Sequence, residues 1–285
     1  MKKTRSDSPL NRFFKGVIIA LGFILPGVSG GVLAAILGLY ERLLGFMAHF
    51  RQNFKRDFWY FVPVGLGGIV GIALLSAPLE YLLVRWQVIV LWGFAGAIIG
   101  TLPALMHTAS SQGPRDAVDY LWFTGTLLIS SGLLYFMSDL FGTLPANFGG
   151  FMVAGGLIAL GVLVPGLSPS NLLLILGLFT PMLTGFKNLD LLGVYLPIAL
   201  GGGLAMILFS KAMDYLIQRF HSRVYHFILG IVVASTLLIL IPNPHAAESI
   251  SYVGTTWSTV LFSGLAAIVG VALGYWMSRL EVKYK

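Results

Sequence analysis

The chain has 285 residues, 57% of them apolar or aromatic and only 10% charged, with a mean hydropathy of +0.87. That balance leaves too little polar surface to cover a soluble domain and describes a polytopic membrane protein. The net charge of +7 is dispersed between apolar segments rather than gathered into a nucleic-acid patch, and the absence of cysteine excludes a disulfide framework or a thiolate metal site.

Residues 1–15 are basic and polar and are expected in the cytoplasm. Phe13 to Leu25 runs straight into further apolar sequence with no small-residue cleavage site, so this start is expected to be a mature N-terminus and not a signal peptide. Residues 16–46 are apolar apart from Glu41-Arg42 and one interruption, Leu25-Pro26-Gly27-Val28-Ser29-Gly30-Gly31. Proline removes an amide donor and clashes with the preceding turn, while glycine and serine favour non-helical or capping geometry, so this run breaks a helix. The following loop, His49 to Asp57, is basic again, which predicts a re-entrant hairpin returning to the cytoplasmic side. Spans are predicted at 58–84, 87–106 and 120–137, the first two joined at Arg85-Trp86 and the last preceded by a polar loop from His107 to Asp119. Ser138 to Asn147 contains no lysine or arginine and is expected outside. A second hairpin at 148–186 and spans at 191–217, 224–241 and 257–277 complete the chain. Of the 18 basic residues this arrangement leaves only Arg85 and Lys187 outside, with both termini in the cytoplasm.

The second half repeats the first. Val164-Pro165-Gly166-Leu167-Ser168-Pro169-Ser170-Asn171 answers the first break at a spacing of 139 residues (Pro26 to Pro165), and the tail Ile36-Leu37-Gly38-Leu39 returns as Ile175-Leu176-Gly177-Leu178. Further on the spacing is 134: Pro63 answers Pro197, and Glu80 to Arg85 answers Asp214 to Arg219. The expected fold is therefore an all-α polytopic membrane protein of two repeats, 16–141 and 148–279, each a re-entrant helical hairpin plus three transmembrane helices. An odd number of crossings inverts the second repeat, as in transporters that alternate access around a site at the repeat interface. A duplication kept only for packing is the plain alternative, but packing alone does not require a helix-breaking proline in both copies.

Broken helices offer unpaired amides at the positive end of a helix dipole, which suits an anion and phosphate especially. Ser29, Gly30 and Gly31 lead into one half-helix and Ser168, Ser170 and Asn171 into the other, although each serine is also a natural cap of its own helix. Arg42, beside Glu41, is expected either partly at bilayer depth or snorkelling to the cytoplasmic interface, and Arg85 and Arg219 stand one at each mouth of a symmetric pathway, where each would receive an anionic headgroup or pair with Glu80 or Asp214. Glu41, Glu80 and Asp214 are the candidates for proton or sodium coupling. No catalytic residue, metal site or cofactor is expected: the five histidines lack zinc-ligand spacing, and His221-Ser222-Arg223 with His226 superficially suggests an intramembrane phosphatase whose remaining partners are missing.

Pro26-Gly27-Val28-Ser29-Gly30-Gly31 with Ile36-Leu37-Gly38-Leu39-Tyr40-Glu41-Arg42-Leu43, and Pro165-Gly166-Leu167-Ser168-Pro169-Ser170 with Leu176-Gly177-Leu178-Phe179, resemble the polyprenyl-phosphate transporter (PopT) family, long grouped as a bacterial domain of unknown function. The resemblance covers nearly the whole chain. It implies a multi-pass protein of the bacterial cytoplasmic (inner) membrane that returns undecaprenyl phosphate, the lipid carrier of peptidoglycan precursors, from the outer to the inner leaflet, with membrane lipid and no nucleic acid as its partners. Two readings compete with such a flippase: an ion or small-solute transporter or channel built on the same inverted hairpins, and an intramembrane enzyme acting on a lipid phosphate.

Overall fold

The structure is a computed structural model that describes residues 8–24, 33–34, 37–39, 42, 50–136, 144–163, 169–244 and 249–284; the side chains of a few of these, Asn171 and Asp214 among them, lie outside the description. All the regular structure in the described residues is helical. The helices are α1 (Pro9–Ile24), α2 (Phe50–Ala109), α3 (Ala117–Tyr135), α4 (Phe148–Leu163), α5 (Pro169–Ile175), α6 (Phe179–Lys187), α7 (Leu196–Leu238) and α8 (Trp257–Tyr284), with a π turn over Leu191–Tyr195 leading into α7. Five stretches are long and apolar enough to cross a membrane: Asp57–Ala109, Ala117–Tyr135, Leu191–Phe209, Tyr215–Leu238 and Trp257–Leu280.

One expected loop is corrected. The basic segment before Asp57 is helical from Phe50 onward, since lysine and arginine are good helix formers and simply extend α2 beyond its apolar part. α2 and α7 are each two helices meeting at a kink, at Trp86 between the expected spans 58–84 and 87–106 and at Phe220 between the expected spans 191–217 and 224–241.

The sequence spacings reappear in the backbone. Trp86 (φ −136°, ψ 47°) and Phe220 (φ −132°, ψ 41°) break α2 and α7 at positions 134 residues apart. Gly38 and Gly177, 139 apart, have φ of 70° and 71°. Each ends a short helical turn with the same bonds: Leu39 N–H donates to Ala34 O (2.8 Å) and Leu37 N–H to Leu33 O (3.0 Å), while Leu178 N–H donates to Leu173 O (2.9 Å) and Leu176 N–H to Leu172 O (3.0 Å). This is the Schellman closure, which needs a left-handed residue that only glycine supplies cheaply. It turns Leu39 and Leu178, 1% and 0% exposed, into the interior.

Close backbone packing is repeated too. α1 lies against the first part of α2, where a Cβ at Gly16 would overlap the carbonyl oxygen of Val64 and one at Gly67 that of Phe13. α4 lies against the first part of α7 in the same way, with Gly155 on Ile198 and Gly201 on Met152. With no hydrophobic drive between helices in lipid, such small-residue approach is what holds them together. The third helix of each half packs across to the other half: α8 runs along α2, with Gly96 against Ala267 and Gly274 against Ala97, and α3 runs along α7, with Gly230 against residues 123–127. The main core, including Leu83, Leu91, Phe94, Leu173, Leu178, Phe179 and Met182, gathers helices from both halves around α5 and α6.

Candidate functional site

Ser29, Gly30, Gly31, Glu41 and Ser168 lie outside the described residues. Ser170, 4% exposed, stands in the first turn of α5, and Asn171 follows it in the same turn. Arg85 and Arg219 are both exposed, each one residue before the break in its helix. Asp214 lies in the helical part of α7 before the Phe220 break.

Arg42 enters a cluster that the sequence did not announce. Its Nε and Nη2 donate to a single oxygen of Asp57, Oδ1, at 2.9 and 2.7 Å. Asp57 is fully buried at 0% exposed, whereas the Arg42 side chain keeps 39% of its surface. The Arg42 guanidinium also lies over the Tyr60 ring, 3.5 Å from its centroid, and Arg12 lies over the same ring at 4.6 Å while donating from Nη1 to the Tyr60 carbonyl oxygen at 3.3 Å. Asp57 and Tyr60 are on one face of α2 three residues apart, so one helix face fixes Arg42 by a carboxylate and an aromatic ring together.

Glu80 is held at the opposite end of the first part of α2. Its partner is not Arg85, as its place in the sequence suggests, but Lys187, whose Nζ lies 2.5 Å from Oε2. Thr184 Oγ1 donates to Glu80 Oε1 at 2.7 Å. The correction follows from the core: α6 packs on α2, bringing the C-terminal turn of α6 against the carboxylate. Tyr195, in the π turn, donates from its hydroxyl to the carbonyl oxygens of Ile69 and Phe186 at 3.2 and 3.3 Å and ties the same three elements together.

A further polar knot joins α2 and the end of α3 to the connection between α7 and α8. Gln87 Nε2 donates to Ser249 O at 3.2 Å, Trp92 Nε1 to the Tyr252 hydroxyl at 3.2 Å, and Asn243 Nδ2 to Tyr135 O at 2.8 Å. Leu91, Leu134, Leu174, Ile175 and Ile239 line an apolar cleft beside this knot. No group of histidines and carboxylates able to hold a metal ion occurs among the described residues.

Five stretches apolar and long enough to cross a bilayer define a multi-pass membrane protein. The chain belongs to the undecaprenyl phosphate translocase-like family, which matches residues 1–118 and 124–257. It is similar to the polyprenyl-phosphate transporter of Vibrio cholerae serotype O1, 24% identical over 240 residues that cover 79% of this chain and 76% of that one. It is also similar to the polyprenyl-phosphate transporter of Staphylococcus aureus, 24% identical over 239 residues that cover 79% and 84% of the two chains. No solved structure matches. Family and relatives identify a transporter and not an enzyme.

Proposed function

We propose that this protein moves undecaprenyl phosphate between the leaflets of the bacterial cytoplasmic membrane, returning the carrier for reuse in envelope synthesis, by alternating access of two inverted repeats. The observation that carries the reading is the matched pair of Schellman closures at Gly38 and Gly177, which end the helical turns that follow the two proline-glycine-serine breaks. A phosphate monoester on a long apolar tail cannot cross hydrocarbon because of its charge, while the tail never needs to leave lipid. The protein therefore has to shelter only the headgroup. In this reading Ser29, Gly30 and Gly31 and their counterparts Ser168, Ser170 and Asn171 hold the phosphate near the midplane, with Arg85 and Arg219 at the two mouths and Arg42 on the cytoplasmic side. The apolar helix Phe148–Gly161 precedes the second proline-glycine-serine motif and suits one arm of a re-entrant hairpin.

The test is leaflet transfer of undecaprenyl phosphate in proteoliposomes, with and without a proton or sodium gradient, beside the Ser29→Ala, Ser168→Ala double variant. Transfer that requires the protein and falls at least tenfold in the folded variant supports the reading. Absence of both transfer and binding under every gradient shifts it to a small-solute transporter of the same architecture.

A further inference from the structure

Where α3 begins beside the second part of α7, two titratable side chains meet in the interior: Asp119 and His226, each 3% exposed. Asp119 Oδ2 accepts from Ser222 Oγ at 2.7 Å and from the Asp116 N–H at 3.2 Å, and the Asp119 N–H returns a bond to Asp116 Oδ1 at 2.8 Å, completing a capping box. His226 Nδ1 is 2.7 Å from the Ser222 carbonyl oxygen. A carbonyl only accepts, so Nδ1 carries a hydrogen and Nε2 is the atom that gains or loses a proton. Asp119 Oδ1 faces the ring at 3.9 Å from Nδ1, beyond hydrogen-bond range but close enough for a strong Coulomb interaction where water is excluded.

The charge balance of this cluster depends on one proton. With it the pair is neutral, as carboxylate and imidazolium; without it a buried carboxylate loses its closest titratable counter-charge, which is costly in a protected interior. The neighbouring ionisable groups are otherwise engaged or lie at the rim. Arg115 is turned to Ser110 and the Met106 carbonyl oxygen, Tyr120 presents its ring at 6.3 Å from the imidazole, His221 stacks on Tyr225 at 4.6 Å, and exposed Arg223 acts on Asp119 only through space. The cluster also bridges the two halves, since Asp119 belongs to α3 and Ser222 and His226 to α7.

It is not duplicated. At the spacing of 134, His226 is answered by Trp92, which donates to Tyr252. The helix caps Asp116 and Thr256 stand 140 apart, each accepting from the amide three residues on, and they set Thr259 against Asp119. The equivalent place in the other half thus holds no acid and no base.

We propose that Asp119, Ser222 and His226 bind a proton that is exchanged during the transport cycle, with His226 Nε2 the atom that takes it up. The coupling rests on the transporter reading above, whereas the proton site itself does not, and two experiments keep them apart. In the first, the full-length protein in lipid nanodiscs, isotope-labelled at histidine, is titrated by NMR, with His226→Gln identifying the ring signal. The expected result is uptake of one proton by the ring, with proton affinity reduced about tenfold in Asp119→Asn. A ring that stays in one state throughout the titration, or whose midpoint is the same in Asp119→Asn, overturns the site.

In the second, an imposed pH gradient accelerates protein-dependent transfer of undecaprenyl phosphate several-fold in the wild type. His226→Gln and Asp119→Asn give the same rate with and without the gradient. A gradient response retained by both variants overturns the coupling. Absence of transfer in the wild type overturns the transport reading and leaves the titration to decide the site.

Discussion

Trp86 and Phe220 break two different helices with backbone angles that agree within about 6° in both φ and ψ, although the side chains differ and 134 residues separate them. Each follows an exposed arginine. A helix whose hydrogen-bond ladder is interrupted at one residue bends there more readily than elsewhere, so any relative movement of the helix segments is expected at these two points. The chain has no cysteine, so labels introduced at Leu74 and Ile99, both exposed, report cleanly across the break. Their electron–electron distance distribution is expected to shift when undecaprenyl phosphate is added, while labels at Leu121 and Leu133 within α3 keep theirs. An unchanged distribution across Trp86 removes the hinge.

Gly67 and Gly201 each face a carbonyl oxygen of the neighbouring helix, on Phe13 and Met152, with no room for a Cβ. Gly67→Ala and Gly201→Ala are therefore expected to lower thermal stability by similar amounts, about 1–3 kcal/mol, because backbone cannot yield as a flexible side chain can. Gly65→Ala and Gly203→Ala, where the added methyl meets nothing within 4 Å, serve as controls and keep the parent melting temperature or exceed it. Equal behaviour of all four contradicts the packing described.

Gly38 and Gly177 adopt φ near 70°, a region that costs an L-residue roughly 1–2 kcal/mol. Space around Gly38 is open, so the loss in Gly38→Ala is conformational alone. Denaturant or thermal unfolding is expected to show a loss of that size for Gly38→Ala and a comparable or larger one for Gly177→Ala.

Arg42 and Asp57 separate stability from transport. Arg42→Ala takes two hydrogen bonds and a counter-charge from a fully buried carboxylate and is expected to cost about 1–3 kcal/mol. Replacing both by leucine removes the buried charge and is expected to restore much of that stability. If Arg42 receives the phosphate, the double variant stays folded and inactive. Recovery of transfer together with stability assigns Arg42 a purely structural part.

The all-helical membrane character was legible in the hydropathy, and the family in the two broken motifs, because both depend on residues adjacent in sequence. The two spacings, 139 and 134, likewise pointed to where the backbone departs from the helix. What pairs with what was not legible. Asp57 closes a run of basic residues and reads as loop, yet the helix beginning at Phe50 places it in the interior under Arg42. Glu80 has Arg85 near it in sequence and Lys187 near it in space, because α6 packs on α2. Asp119 and Ser222, 103 residues apart, meet only because α3 crosses to the second half. Nothing in hydropathy or motif spacing encodes which third helix goes to which half.

That crossing makes each half the keeper of a helix that the other half encodes. α8 fills the glycine furrow of α2 at Gly96 and Gly100, and α3 fills that of α7 at Gly230. Cutting the chain between the two halves would therefore strip each of the helix that covers its own glycines and leave backbone carbonyls bare on both sides of the cut.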